Sequence, residues 1–239
     1  MLYHAGYKPS VAINNLGQIV LAYEHNSRIY YLIGQFDDKY SSISFNRPTY
    51  VTTGRYPSIE LNDDGDIIEI HQTSNKHMRE NPEGSKGVYT MLHYRYGELR
   101  MNYGISEPAI EFSKYIELCS GETPDIVLNN KEDVVQIHQT TSITNADLHY
   151  RTTTGDSRKV VTSLKDLPQW EKDYILVQKG KEGWEAPRIA VNRKLKIYAV
   201  VSKVDGNIEI EYNFFYPNNG TNIIGTEFLK HIGDWEKIY

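Results

Sequence analysis

The chain has 239 residues, 39% hydrophobic and 24% charged, which is enough apolar material for one good core or two small ones and is neither a disordered nor a collagen-like balance. Its formal charge of -5 comes with no block of Lys or Arg interleaved with aromatics, so nucleic acid is excluded as an expected partner. Cys119 is the one cysteine, which excludes an internal disulfide and a Cys-based zinc site, and no stretch approaches the roughly 18 apolar residues of a membrane span.

The opening residues, MLYHAGYKPSVAINN, contain no basic segment followed by an apolar run. The expectation is a cytoplasmic product, or a secreted one if a leader was removed or export is non-classical. With 19 tyrosines and plentiful Val, Ile and Thr, the composition favours strands over helices.

Four copies of one pattern run along the chain: a Pro opening an apolar strand, an Asn, a hairpin, and a second apolar strand. They read PSVAINNLGQIVLAYE from Pro9, PSIELNDDGDIIEIHQ from Pro57, PDIVLNNKEDVVQIHQ from Pro124 and PRIAVNRKLKIYAVVS from Pro187. The asparagines are Asn14, Asn62, Asn129 and Asn192. Gly17 and Gly65 supply the positive φ of a tight hairpin turn, while the later copies turn without Gly. A third strand follows each copy, carrying Tyr31, Tyr94, Tyr150 and Tyr212 two places after an apolar residue and so on the same face. A fourth is expected in SISFNRPTYVTTG and PAIEFSKYIELCSG, which end at Gly54 and Gly121, each three residues ahead of the next Pro.

The phrase LKDLPQWEKDY, from Leu164 to Tyr174, reappears as LKHIGDWEKIY from Leu229 to Tyr239. In the third copy it continues towards Pro187, and MLYHAG leads to Pro9 in the same manner, so the first residues read as the continuation of the last. Four-stranded antiparallel units in a number that closes on itself predict an all-β fold, a four-bladed β-propeller forming a single domain over 1–239. The N- and C-terminal segments close the ring, placing Met1 beside Tyr239. Five blades are the alternative; the absence of a further Pro-to-Asn motif between the second and third copies favours four.

PSVAINNLGQIVLAYE, PSIELNDDGDIIEIHQTS and LHYRYG resemble a repeat of the form PSVAL-N-x-x-G-x-VVEVHQS with LWYRVG, found in bacterial secreted and toxin-associated proteins and similar in plan to propeller lectins. The fourth copy departs from it, lacking the His-Gln pair and the hairpin Gly. The resemblance implies related shallow sugar pockets, one per blade or between blades, built from aromatic, His, Arg and carboxylate or amide side chains.

Strand alternation puts Ile68, Ile70 and Gln72 on one face and Glu69 and His71 on the other. The counterparts of the second pair are Gln136 and His138, Leu21 and Tyr23, and Ala199 and Val201. That face accepts apolar residues in two copies, so one reading is histidines that hydrogen-bond inside a contact between blades. The other is donors to sugar hydroxyls, with Gln72 and Gln139 beside them. No second ligand recurs at a fitting spacing, so no metal or other cofactor is expected. Arg95 and Arg151 follow Tyr94 and Tyr150, and a guanidinium beside a ring and an amide holds vicinal hydroxyls; an Arg laid along a blade with its head in solvent fits the same pattern.

Trp170 and Trp235 occupy equivalent places in the duplicated phrase, either wedged between blades or stacked on a sugar, and Trp184 in GKEGWEAP is the better platform. Only the second copy has the acidity of the turn at Asn62–Asp66, its counterparts reading NNLGQ, NNKED and NRKLK, which favours a solvated hairpin over a calcium loop. No nucleophile elbow, zinc-protease or phosphate-loop motif is present, so the chain does not read as an enzyme; a glycosidase would need two carboxylates that spacing does not select. The function expected is multivalent, carbohydrate-binding and lectin-like, with glycans or a glycosylated surface as partner. The alternative is a protein-docking module gathered around insertions such as NKHMRENPEGSKGVY at 75–89.

Overall fold

The computed structural model describes residues 6–73, 77–80, 86–101, 107–128, 134–140, 148–154, 169–170, 174–177, 184–192, 197–204, 207–215 and 222–223. Among them every regular element is a strand, all pairings are antiparallel, and no helix is long and apolar enough to cross a membrane. The chain is all-β.

Sheet I contains β1 (Tyr7–Ile13), β2 (Gln18–His25) and β3 (Arg28–Asp37), with β4 (Ser42–Phe45) and β5 (Thr49–Thr53) both paired to β3. Sheet II repeats this plan with β6 (Arg55–Leu61) and β7 (Asp66–Gln72). A separate ribbon of β8 (His77–Glu80) and β9 (Lys86–Tyr89) intervenes before β10 (Met91–Arg100), which carries β11 (Ala109–Phe112) and β12 (Ile116–Ser120). Sheet III holds β13 (Glu122–Leu128), β14 (Val134–Gln139), β15 (Leu148–Thr154), β16 (Gln169–Trp170) and β17 (Tyr174–Val177). Sheet IV holds β18 (Trp184–Asn192), β19 (Ile197–Val204), β20 (Asn207–Phe215) and β21 (Asn222–Ile223).

The expected fourth strand is in fact two short segments on one neighbour. Where it breaks, a side chain satisfies the backbone of β3 or β10: Ile33 N–H donates to Asn46 Oδ1 at 2.7 Å, and Tyr96 N–H to Ser113 Oγ at 3.1 Å.

In the first two copies the asparagine after the first strand has a definite task. Asn14 Oδ1 accepts from Leu16 N–H and Gln18 N–H, and Asn62 Oδ1 accepts from Asp64 N–H and Asp66 N–H at 3.1 and 2.8 Å. Gly17 and Gly65 then take φ of 72° and 88°, as the turn requires. Asn62→Ala should cost about 1–2 kcal/mol by leaving two turn donors without their acceptor, measurable as a lower urea midpoint at unchanged slope.

Successive sheets stack through their first strands, β1 on β6, β6 on β13 and β13 on β18. Between I and II, Ala12, Val20, Ala22, Ile29, Tyr31 and Ile33 pack against Ile59, Leu61, Ile67 and Leu99. Between II and III, Ile68, Ile70, Leu92, Tyr94 and Tyr96 pack against Ile126, Leu128 and Val134. Sheet II therefore buries both faces, which is why its strands read as nearly continuous apolar runs. Tyr31 and Tyr94 face this core with Ile29 and Leu92, on the face alternation assigned them.

A hydrogen-bonded latch accompanies each stack. The residue after the Pro accepts the N–H two places after the next Pro: Ser10 Oγ from Ile59 at 3.1 Å, Ser58 Oγ from Ile126 at 3.2 Å, Asp125 Oδ2 from Ile189 at 2.9 Å. The hairpin tips add a second tie, Asn14 Nδ2 donating to Asn62 O and Asn15 Nδ2 to Asp63 Oδ2, at 3.0 and 2.8 Å.

Register corrects one expectation. Ile13 pairs with Ile19 and Leu61 with Ile67, but Val191 pairs with Tyr198, so the fourth hairpin is one residue longer. The counterparts of Glu69 and His71 in that copy are Val200 and Ser202, not Ala199 and Val201. The apposition of Met1 and Tyr239 lies outside the described residues. On the outward face of sheet I, Val11 and Ile13 are 62% and 57% exposed, whereas their counterparts Ile59 and Leu61 in sheet II are 1% exposed.

Candidate functional site

The repeated Gly, His and Gln lie at the joints between sheets. A Cβ on Gly54 would stand 2.6 Å from His71 Cδ2 and 2.8 Å from Ile29 Cδ1; one on Gly121 would stand 2.5 Å from His138 Cδ2 and 3.0 Å from Leu92 Cδ1. Gly6 meets Tyr23 in the same way at 2.4 Å, so a ring on the second strand packs against a bare backbone in three copies. The Gln beside His71 serves the next sheet. The residue before the Pro in the first three copies, Lys8, Tyr56 and Thr123, takes a φ of 51°, 51° and 46°, at a bulge where the register slips. Gln72 Oε1 accepts the N–H of Thr123 at 3.0 Å, and Glu24 Oε2 that of Tyr56 at 3.4 Å.

His71, Gln72, Arg95 and His138 are all buried. Gln139 is partly buried, and its Oε1 accepts from Thr123 Oγ1 at 3.1 Å. Arg151 pairs across from Gln136 as Arg95 does from Glu69, and Trp170 and Trp184 lie on β16 and β18. For these three only the backbone is described, and Trp235 lies outside the described residues.

Glu69 gathers the charged groups of the joint between sheets I and II. Its carboxylate accepts from Arg95 Nε at 2.9 Å and holds His71 Nδ1 at 2.9 Å, while Arg95 Nη2 donates to the Tyr31 hydroxyl across the joint. The guanidinium carbon stands 3.6 Å from the centroid of Phe112 and 4.7 Å from that of Tyr115, so the cation is enclosed by aromatic faces. Burial opposes the ionised carboxylate of Glu69, but the charges of His71 and Arg95 outweigh it and hold its pKa below the ordinary value. Burial, with Glu69 nearby, pushes the Tyr31 hydroxyl well up, and burial takes Tyr115 to about 12. At neutral pH the centre is an ion pair bounded by protonated phenols.

His138 is held differently, by the amide of Gln136, with Cys119 Sγ 3.8 Å from its Nε2. The order thiol, imidazole, amide has the parts of a cysteine nucleophile. His138 is 0% exposed and roofed by Gly121, so the ring serves packing rather than an open reaction site.

An open cleft of about 260 Å³ lies over the same joint. Sheet I contributes Tyr31, Ile33, Asn46, Thr49, Tyr50 and Val51, and sheet II contributes Pro108, Ala109, Ile110 and Phe112. Arg95 lies behind this wall, touching Tyr31 and Phe112. The Tyr50 ring is 51% exposed with the Arg28 guanidinium 5.6 Å from its centroid. Asn46, Thr49 and Tyr50 were missed by sequence reasoning. Their signal was Pro48, which interrupts the alternation of the fourth strand and opens the edge where they stand. In the acidic turn, Asp63 is engaged by Asn15, and among the described residues no cluster of His, Cys, Asp or Glu suits a metal ion.

No protein-family model matches the chain, and no curated protein matches it.

Proposed function

We propose that this chain is a carbohydrate-binding, lectin-like propeller of one domain whose sugar pockets lie between adjacent sheets. The observation that carries this reading is the cleft between sheets I and II. A half-exposed tyrosine ring offers a stacking face, Asn46 and Thr49 offer hydrogen bonds, and an apolar floor accepts the C–H face of a pyranose. Weak sites of this kind, repeated between blades, gain by avidity on a glycosylated surface. The motif histidines, glutamines and Arg95 then shape the pockets from behind, and Trp184, Trp170, Trp235 and Arg151 remain candidates for contact in the later blades.

The ring belongs to the same proposal. The outward face of sheet I repeats the apolar pattern that sheet I itself covers on sheet II, Val11 for Ile59 and Ile13 for Leu61. A face so patterned is completed by one more sheet of the repeat, and sheet IV closing onto it makes four blades. Bacterial and toxin-associated origin follows from the repeat resemblance alone.

A glycan array is expected to return hits for the wild-type protein, and Tyr50→Ala to weaken them about 10-fold or more, by the loss of one stacking contact. Array silence from a folded sample would overturn the sugar reading in favour of a protein-docking module. That second reading has its own support in the exposed Tyr40 and Ile43 of the β3–β4 hairpin, beside Phe36.

A further inference from the structure

We propose that the joint between sheet IV and sheet I is an anion-binding site, a role that rests on the ring closure proposed above. At each described joint the earlier sheet offers oxygen acceptors to backbone N–H groups of the later one. Ser10, Ser58 and Asp125 accept from Ile59, Ile126 and Ile189, and Glu24 and Gln72 accept from the bulge residues Tyr56 and Thr123. Register identifies the residues that sheet IV would offer in turn. Arg188 pairs with Val201 as Ser10 pairs with Ala22, Ser58 with Ile70 and Asp125 with Ile137. Lys203 pairs with Glu185 as Glu24 pairs with Tyr7, Gln72 with Arg55 and Gln139 with Glu122.

Both acceptors are thus replaced by cations, which donate hydrogen bonds and accept none. Facing them on sheet I, once the ring is closed, are the N–H groups of Val11 and of the bulge residue Lys8. Donors meet donors. The nearest described carboxylate to Arg188 is Asp125, 4.0 Å away, and its oxygens already accept Ser58 Oγ–H at 2.7 Å and Ile189 N–H at 2.9 Å. A group with several acceptor oxygens resolves the mismatch: a guanidinium takes it in bidentate fashion, and backbone N–H groups and an ammonium complete the shell. The ligand class is an oxyanion or carboxylate, free in solution or carried on another chain.

The test is thermal unfolding of the full chain in sodium phosphate, in sulfate and with a short polyglutamate peptide, each against chloride at equal ionic strength. The wild-type midpoint should rise by about 2–4 °C and saturate. Arg188→Ser with Lys203→Gln rebuilds the acceptor pattern of the other joints, so that variant should lose the response while folding at least as stably in chloride. Arg188→Ser alone gives the same reading if the pair misfolds. A response to phosphate or sulfate supports a free oxyanion, and a response to the peptide alone supports a chain-borne carboxylate. An equal rise in wild type and variant, or none in wild type, overturns the proposal.

Ile13→Cys with Ala190→Cys, in a Cys119→Ser background, separates this from failure of the ring. An intramolecular disulfide without anion response leaves the ring and removes the anion site; no disulfide removes both. Glycan binding is read independently on the array.

Discussion

Replacing Arg95 with Ala should destabilise the fold by about 3–5 kcal/mol, because Glu69 would keep its charge in a fully buried place with one partner gone. The comparison that interprets this loss is already present in the molecule. Register places Leu21 across from Leu32 in sheet I where Glu69 stands across from Arg95 in sheet II. Glu69→Leu with Arg95→Leu should therefore recover most of what either single change loses, since paired apolar residues replace a buried ion pair at little net cost. Urea denaturation of the two singles and the double closes the cycle. A double variant as unstable as the sum of the singles would mean that the site depends on the charges themselves.

Acid supplies a second readout. The pKa of Glu69 lies below its ordinary value of 4.5, so its contribution is present above that value and is lost as pH falls through the depressed one. The wild type should lose this part of its stability in the acid range, and the Leu-Leu variant should not.

Gly121→Ala is the other large effect. The added methyl would stand 2.5 Å from His138 Cδ2 and 3.0 Å from Leu92 Cδ1, inside contact distance of two buried groups. The His138 ring is tied to Gln136 and cannot simply retreat. Overpacking of this kind costs about 1–3 kcal/mol. Combining it with His138→Ala should relieve most of that cost, so the pair should be strongly non-additive in urea midpoints. Additivity would show that the ring and the glycine do not act as one contact.

The strands were legible because the period-2 pattern, the hairpin glycines and the capping asparagines are local signals, and local signals survive in sequence. The faces of the strands were legible too, as Tyr31 and Tyr94 show. Alternation does not reveal, however, that both faces of a stacked sheet are covered, so His71 and Arg95 stayed open to a surface role. Two cues pointed inward. A Gly three places before the Pro accompanies a ring at the end of the second strand in the first three copies, and the positions of Glu69 and Arg95 hold Leu21 and Leu32 in the first copy. The one-residue shift in the fourth copy was illegible because its hairpin lacks the glycine that marks turn length in the first two copies. The cleft escaped notice because it is assembled from two repeats, and no single stretch of sequence contains it.

The left-handed residue ahead of Pro9, Pro57 and Pro124 has an architectural consequence. A bulge bends its strand and sharpens the local coil, and here it recurs at one register position in every sheet. The bend at that position therefore belongs to each unit and is repeated with it. A unit that carries its own bend can be copied in tandem by gene duplication without redesign of that position.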